Sequence, residues 1–179
     1  MRKLLILLTL LVCTFAFTSC TQEEKKQPET KPAVVQQKQQ TFIVYRAAAD
    51  GTNVLLPESF TIADNGKSAM ENALQYLVST KPADAKYSDV VPIGTKVLGL
   101  KVENGTAYAD FSKELAKKGQ GSYQENMLCY VIVNTLTEFS EVKRVQILIE
   151  GKKVLSLSGH TDIEDPLTRN ETMLQPKKK

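Results

Sequence analysis

Two apolar stripes at helical spacing and several alternating runs organise the middle of this chain. Met70, Ala73, Leu74, Leu77 and Val78 recur at intervals of three and four, which places them on one face of a helix. Met127, Leu128, Val131, Ile132, Thr135, Leu136 and Phe139 repeat that spacing over a longer stretch. Each stripe follows a serine with a glutamate three positions on, Ser68 with Glu71 and Ser122 with Glu125. In such a capping box the hydroxyl accepts from the amide three residues on, while the glutamate reaches back to the serine amide. A helix should therefore open at each serine. The first should stop before Lys81-Pro82, because a residue preceding proline disfavours helical geometry.

The strands read from alternation and from β-branched and aromatic residues. Residues 41–47 form a first strand and 53–62 a second, with Asp50-Gly51 turning between them. Pro57 cannot donate to a ladder, so the second strand should lie at an edge or carry an irregularity. Residues 82–95 read as a loop closing on Pro92 and Gly94. The runs "KVLGLKV" and "TAYADF" flank Asn104-Gly105, and Asn-Gly between alternating runs predicts a hairpin whose turn needs positive φ. Val142, Val145, Ile147 and Ile149 mark a further strand, Glu150-Gly151 turns the chain, and "KVLSL" at 153–157 reads as a last strand. The order is β-β-α-β-β-α-β-β. It predicts an α+β fold, a mixed sheet with two helices packed on one face as a two-layer sandwich.

The N-terminus has a different character. Arg2 and Lys3 precede an uncharged apolar run from Leu4 to Phe17, shorter than the roughly 20 residues of a spanning helix. A charged start, a short apolar core and small residues before a cleavage point describe a secretory signal peptide over residues 1–19. Phe17-Thr18-Ser19-Cys20 resembles the bacterial lipobox, which implies that the Cys20 sulfur takes lipid and that Cys20 becomes the new N-terminus. Phe17 departs from the more usual leucine. Residues 20–40 are rich in Gln, Lys, Glu and Pro, so beyond Cys20 they read as a polar disordered tether. About 20 such residues reach roughly 25 Å, enough to hold a domain clear of headgroups. The globular domain is expected over 41–168, followed by a polar flexible tail over 169–179.

Charge and cysteine usage narrow the classes. Arg2 and Lys3 leave with the signal, taking the formal charge from +3 to +1. Such a balance lacks the basic footprint that nucleic acid requires, so no nucleic-acid partner is expected. Of three cysteines, Cys13 leaves with the signal and Cys20 is used for lipid, so Cys129 stands alone and no internal disulfide is expected. Within an apolar helix, Cys129 reads as a small buried hydrophobe.

Candidate chemistry is sparse. Gly66-Lys67-Ser68 resembles the end of a phosphate-binding loop, but that motif needs glycine at position 61, where Thr61 stands. His160 is the only histidine, with Asp162, Glu164 and Asp165 close by in sequence. That set lacks the paired His or Cys ligands of a zinc site, so no metal is expected. Asp162 can organise a turn through its own backbone, and Ser112 can cap the short "KELAKK" turn. Asp110, His160 and Asp162 are the candidate ligand-binding residues. Cys20 is the candidate lipidation site, and neither catalytic residues nor a cofactor are expected.

Four stretches in order carry a family resemblance: "FIVYRAAADGTNVLLPE", "AMENALQYLVS", "VPIGTKVLGLKVENGTAYADFSKEL" and "QENMLCYVIVNTLTEFSEVKRVQILIEGKKVLSLSGHTDIEDPL". Together they resemble the GerMN domain of bacterial envelope proteins. Pro92-x-Gly94-Thr95, Asp110-Phe111-Ser112 and Asn134-Thr135-Leu136-Thr137-Glu138 are the sharpest pieces. The resemblance implies a membrane-anchored lipoprotein on the extracytoplasmic face, without enzymatic activity. Its partners would be the membrane, through lipid, and unidentified envelope proteins, and the fold resembles modules that build homo-oligomeric rings. Sporulation and germination are family settings, although sporulation members carry two copies of the domain and this chain carries one. Thr21 in place of aspartate favours the outer membrane in a two-membrane cell. The alternative reading is a module for cell-wall glycans or small ligands, with a hydrolase centred on His160 as a third.

Overall fold

The computed structural model describes residues 38–117 and 121–174. The expected signal peptide, the candidate lipidation site Cys20 and the expected tether up to residue 37 lie outside the described residues. Strand β1 (Gln39–Ala48) pairs antiparallel with β2 (Leu55–Ala63) on one side and with the two-residue β3 (Tyr87–Ser88) on the other. Helix α1 (Ala69–Ser79) lies between β2 and β3 in sequence. A second sheet has the order β4-β5-β6-β7, with β4 (Val97–Glu103), β5 (Thr106–Phe111), β6 (Arg144–Ile149) and β7 (Leu167–Thr168). A 3-10 turn (Lys113–Ala116) and helix α2 (Ser122–Leu136) join β5 to β6, which pair in parallel.

The α+β class is the one expected, but the strands divide between two sheets. The reason lies at β1. Tyr45 faces Pro57 across the β1–β2 ladder, and its amide turns the other way and donates to Thr135 Oγ1 of α2 at 2.9 Å. That side of β1 is occupied by the helix, with β3 reaching only Ala47 and Ala48, so no further strand can join there. Pro57 fits because β2 is an edge strand, as expected.

Both capping serines meet different fates. Ser68 caps α1 as predicted: its hydroxyl accepts from Glu71 N at 3.1 Å, and Glu71 Oε2 accepts from Ser68 N at 2.8 Å. Ser122 does not cap α2. Gly121 is the N-cap, Ser122 is the first helical residue, and Glu125 is used elsewhere. Helix α2 buries more than the expected stripe. Cys129, Val133 and Asn134 are buried beside the expected face, because α2 runs between both sheets and has little free surface.

The Asn104-Gly105 hairpin forms as read, with φ of 50° and 77°. Glu150-Gly151 makes a second turn of the same kind, φ 49° and 76°. The chain does not return from it as a strand over 153–157. Only one bridge, Ile149 with Lys152, forms before the chain is drawn away, and β6 is paired instead by β7. Residues 169–174, expected to be a loose tail, are part of the domain. Met173 is buried, and Leu174 forms a parallel bridge with Leu55 at the start of β2. Residues 175–179 lie outside the described residues.

The core joins α1 to β1 and β2 through Phe42, Phe60 and Tyr76, whose ring centroids lie 4.9–5.9 Å apart. Arg46, 1% exposed, ties the same elements together. Its guanidinium pairs with Glu58 at 3.0 Å and donates to the carbonyls of Leu77 and Thr80 at the end of α1. A buried charge needs such full pairing, because removing either partner strands the other.

Candidate functional site

Asp110 lies near the C-terminal end of β5, and His160 lies in the loop that follows β6. Asp110 sits near the end of β5, and its Oδ1 accepts from Gly151 N at 2.8 Å. Glu150 N donates to Phe111 O at 2.9 Å, so β5 braces the turn that follows β6. Asp162 Oδ1 accepts from Glu164 N at 3.0 Å, the local turn expected of it. Asp110 and Asp162 thus serve separate turns.

The group that organises this region is Glu125, which sequence reading placed in a helix cap. Its side chain is fully buried in the first turns of α2. Oε1 accepts from Leu157 N at 2.9 Å and Ser158 N at 3.0 Å. Oε2 accepts from Ser158 Oγ at 2.6 Å and His160 N at 2.9 Å. One carboxylate therefore folds the 157–160 loop onto the helix, and it fixes the backbone from which the His160 side chain projects. Burial raises the Glu125 pKa, but the Ser158 hydroxyl and the backbone amides outweigh it and hold the group below its usual 4.5. It is ionised at neutral pH. Cys129, one helical turn on, is pushed up to about 12 by burial and then by the Glu125 charge. The thiol is therefore protonated and poorly nucleophilic.

The stretch Asn134-Thr135-Leu136-Thr137-Glu138 closes the other end of α2. Thr135 Oγ1 accepts from the β1 amide of Tyr45 at 2.9 Å. Thr137 makes a back-bond, donating to Val133 O at 2.8 Å. Asn134 is buried and clamps Asn170: its Nδ2 donates to Asn170 O at 3.1 Å, and its Oδ1 accepts from Asn170 N at 3.0 Å. Arg169 then donates to Asn134 O at the helix end and to the Tyr45 hydroxyl, both at 2.9 Å, and pairs with Glu138. Tyr45 in turn donates to Glu138 at 2.6 Å. Burial, then the Glu138 hydrogen bond, pushes the Tyr45 phenol up to about 12.

Exposed apolar side chains stand apart from these networks. Ile93 is 98% exposed at the tip of a turn closed by Thr95 N donating to Pro92 O at 3.2 Å. Gly94, φ 89°, takes the position that a type II turn reserves for glycine. Leu155 in the loop after β6 is 65% exposed, and Leu98 on β4 is 52% exposed. Between α1 and β4 an open groove of about 280 Å³ is lined by Met70, Leu100, Val102 and Phe139 among others. No group of three or more His, Cys, Asp or Glu among the described residues could hold a metal ion. No helix among them is long and apolar enough to cross a membrane.

The family model described as "Germane: Sporulation and spore germination" matches residues 43–155. The chain belongs to the Germane family. Among curated proteins it is similar to the Bacillus subtilis spore germination protein GerM, 32% identical over 110 residues. That alignment takes in 59% of this chain but only 30% of the relative, so the chain spans less than a third of the relative's length. The fold is similar to the solved first GerMN domain of Bacillus subtilis GerM, with a TM-score of 0.61 and 26% identity over 73% of this chain and 98% of that domain. The structure of the tandem GerMN domains of the same protein matches with a TM-score of 0.61 and 25% identity over 46% of its length. The Germane match runs from β1 to the loop after β6. It includes Asp110, Glu125 and the 134–138 stretch, while His160, Asp162 and Arg169 lie beyond it.

Proposed function

We propose that this chain is a membrane-anchored lipoprotein whose Germane domain is a non-enzymatic interaction or assembly module of the bacterial cell envelope. The names of its family and of its relative supply sporulation or germination as the setting. The observation that carries the reading is how the domain distributes its side chains. The carboxylates of Asp110, Glu125 and Asp162 are spent on the protein's own backbone, while Ile93 is held out on a rigid turn and Leu155 and Leu98 stand in solvent. Rigidly presented apolar side chains suit contact with another protein surface, because little conformational freedom is lost on binding.

The anchor rests on the sequence around Cys20. Two or more acyl chains hold a protein on a bilayer stably, whereas one is marginal. The full chain should fractionate with membranes, and Cys20→Ala should release it; a Cys20→Ala protein that stays in the membrane fraction would overturn the anchor. Cross-linking in intact cells should join the domain to itself or to envelope proteins through Ile93 or the β4 side. Recovery of the monomer alone would overturn the assembly role.

A further inference from the structure

The assembly role leaves open which surface meets which partner, and the strand β4 carries a specific answer that rests on that reading. Among the described strands, β4 pairs only with β5, so its outer edge is free. The ladder shows which backbone groups face outward. Gly105 O accepts from Arg144 N and Phe111 O accepts from Glu150 N, so the odd-numbered residues around β5 turn their polar groups toward β6. The even-numbered residues of β5 therefore bond to β4, and their partners there are Glu103 and Lys101. By alternation Val102 and Leu100 hold their N–H and C=O out to the free edge.

Side chains along this edge are equally ordered. Leu100 and Val102 lie opposite the buried Ala109 and Ala107, so they share the core-side face and join Met70 and Phe139 in the groove beside α1. Lys101 and Glu103 project from the other face, largely exposed and paired with each other. A register shift between Val97 and Gly99 interrupts the strand and limits regular pairing to the part beyond it.

We propose that β4 pairs antiparallel with β4 of a second copy of this chain, with the two-fold axis at Val102. A two-fold antiparallel edge can have its axis at an outward-facing residue, as a hydrogen-bonded pair, or at an inward-facing one, as a non-hydrogen-bonded pair. An axis at Lys101 or Glu103 sets like charges opposite each other, which leaves Leu100 and Val102. An axis at Leu100 runs the pairing through the irregular stretch and sets Lys101 against Gly99. The axis at Val102 avoids that stretch and sets Lys101 of each copy opposite Glu103 of the other. Val102 then meets Val102 across the axis on the apolar face. Opposite charges directly across a ladder are favourable and like charges are not, so this strand is complementary to itself in one register. The contact is small, and a weak, concentration-dependent dimer is the expected state.

The test uses the full-length chain in mild detergent, with mass measured by sedimentation over a range of concentrations. The unaltered chain should dimerise. Lys101→Glu alone and Glu103→Lys alone each place like charges across the axis twice, and each should weaken the dimer by about tenfold or more. An equimolar mixture of the two singly altered proteins should recover the dimer, because Glu at 101 of one then faces Lys at 103 of the other. Dimers unaffected by either change, or failure of the mixture to recover them, would overturn the β4 contact while leaving self-assembly intact. A monomer at every concentration would overturn the β4 contact and self-assembly together. Binding to other envelope proteins would then still stand or fall by the cross-linking result.

Discussion

Replacing Glu125 gives the most direct measure of how this domain holds its 157–160 loop. The carboxylate accepts from the amides of Leu157, Ser158 and His160 and from the Ser158 hydroxyl, and it has no exposure to water. In Glu125→Ala the burial cost of the charge disappears, but the buried amide of Leu157 loses its acceptor and the partly buried amides of Ser158 and His160 each lose their bond to Glu125. Each unsatisfied buried donor costs about 1–3 kcal/mol, and water entering the vacated space offsets part of it. A net loss of about 3–5 kcal/mol follows, a large share of the roughly 5–15 kcal/mol that holds a domain folded. At about 3–5 °C per kcal/mol for a domain of this size, the melting temperature should fall by about 10–25 °C. Glu125→Gln keeps the shape and one acceptor oxygen but sets an amide N–H against a loop donor, and should cost about 1–3 kcal/mol. Thermal melts followed by circular dichroism give the magnitude, and hydrogen exchange at Leu157, Ser158 and His160 gives the location. The folded pKa lies below the unfolded value, so this stabilisation is whole above about pH 4.5 and is lost as pH falls through the folded pKa. Glu125→Gln should lack that part of the acid dependence. A loss under about 1 kcal/mol in Glu125→Ala, with exchange at those three amides unchanged, would refute the carboxylate as the loop's anchor.

Two further outcomes test the far end of α2. Thr135→Val keeps the side-chain volume but leaves Tyr45 N without its acceptor, and should lower stability by about 1–3 kcal/mol; a neutral result in denaturant melts would mean that the helix does not need this bond to β1. The Tyr45 phenol, held up to about 12 against an ordinary 10.0, favours the neutral form in the fold. Its contribution is therefore whole below pH 10 and fades as pH rises toward 12. Ultraviolet titration of the protein against Tyr45→Phe should place the missing phenolate step near pH 12, and a step near 10 would contradict the burial and the Glu138 bond.

The sequence by itself determined the elements whose causes are local. Helical spacing placed α1 and α2, Ser68 and Glu71 placed the first cap, and Asn104-Gly105 placed the hairpin, because each depends on residues within a few positions of one another. It also marked Pro57 as an edge residue and supplied the family likeness. Tertiary structure decided what depends on distant partners. Glu125 has the spacing of a cap residue, and nothing local reveals that amides more than 30 positions away will surround it. The run 153–157 has strand-like composition, yet the Glu125 anchor and β7 draw the chain elsewhere. Residues 169–174 look like a polar tail until Asn134 and Arg169 join them to the end of α2 and to Tyr45. Local propensity is written in neighbouring residues, whereas a buried polar group finds its partner only when the whole chain is packed. That is why the helices and turns were legible, while the division into two sheets, the bound loop and the free β4 edge were not.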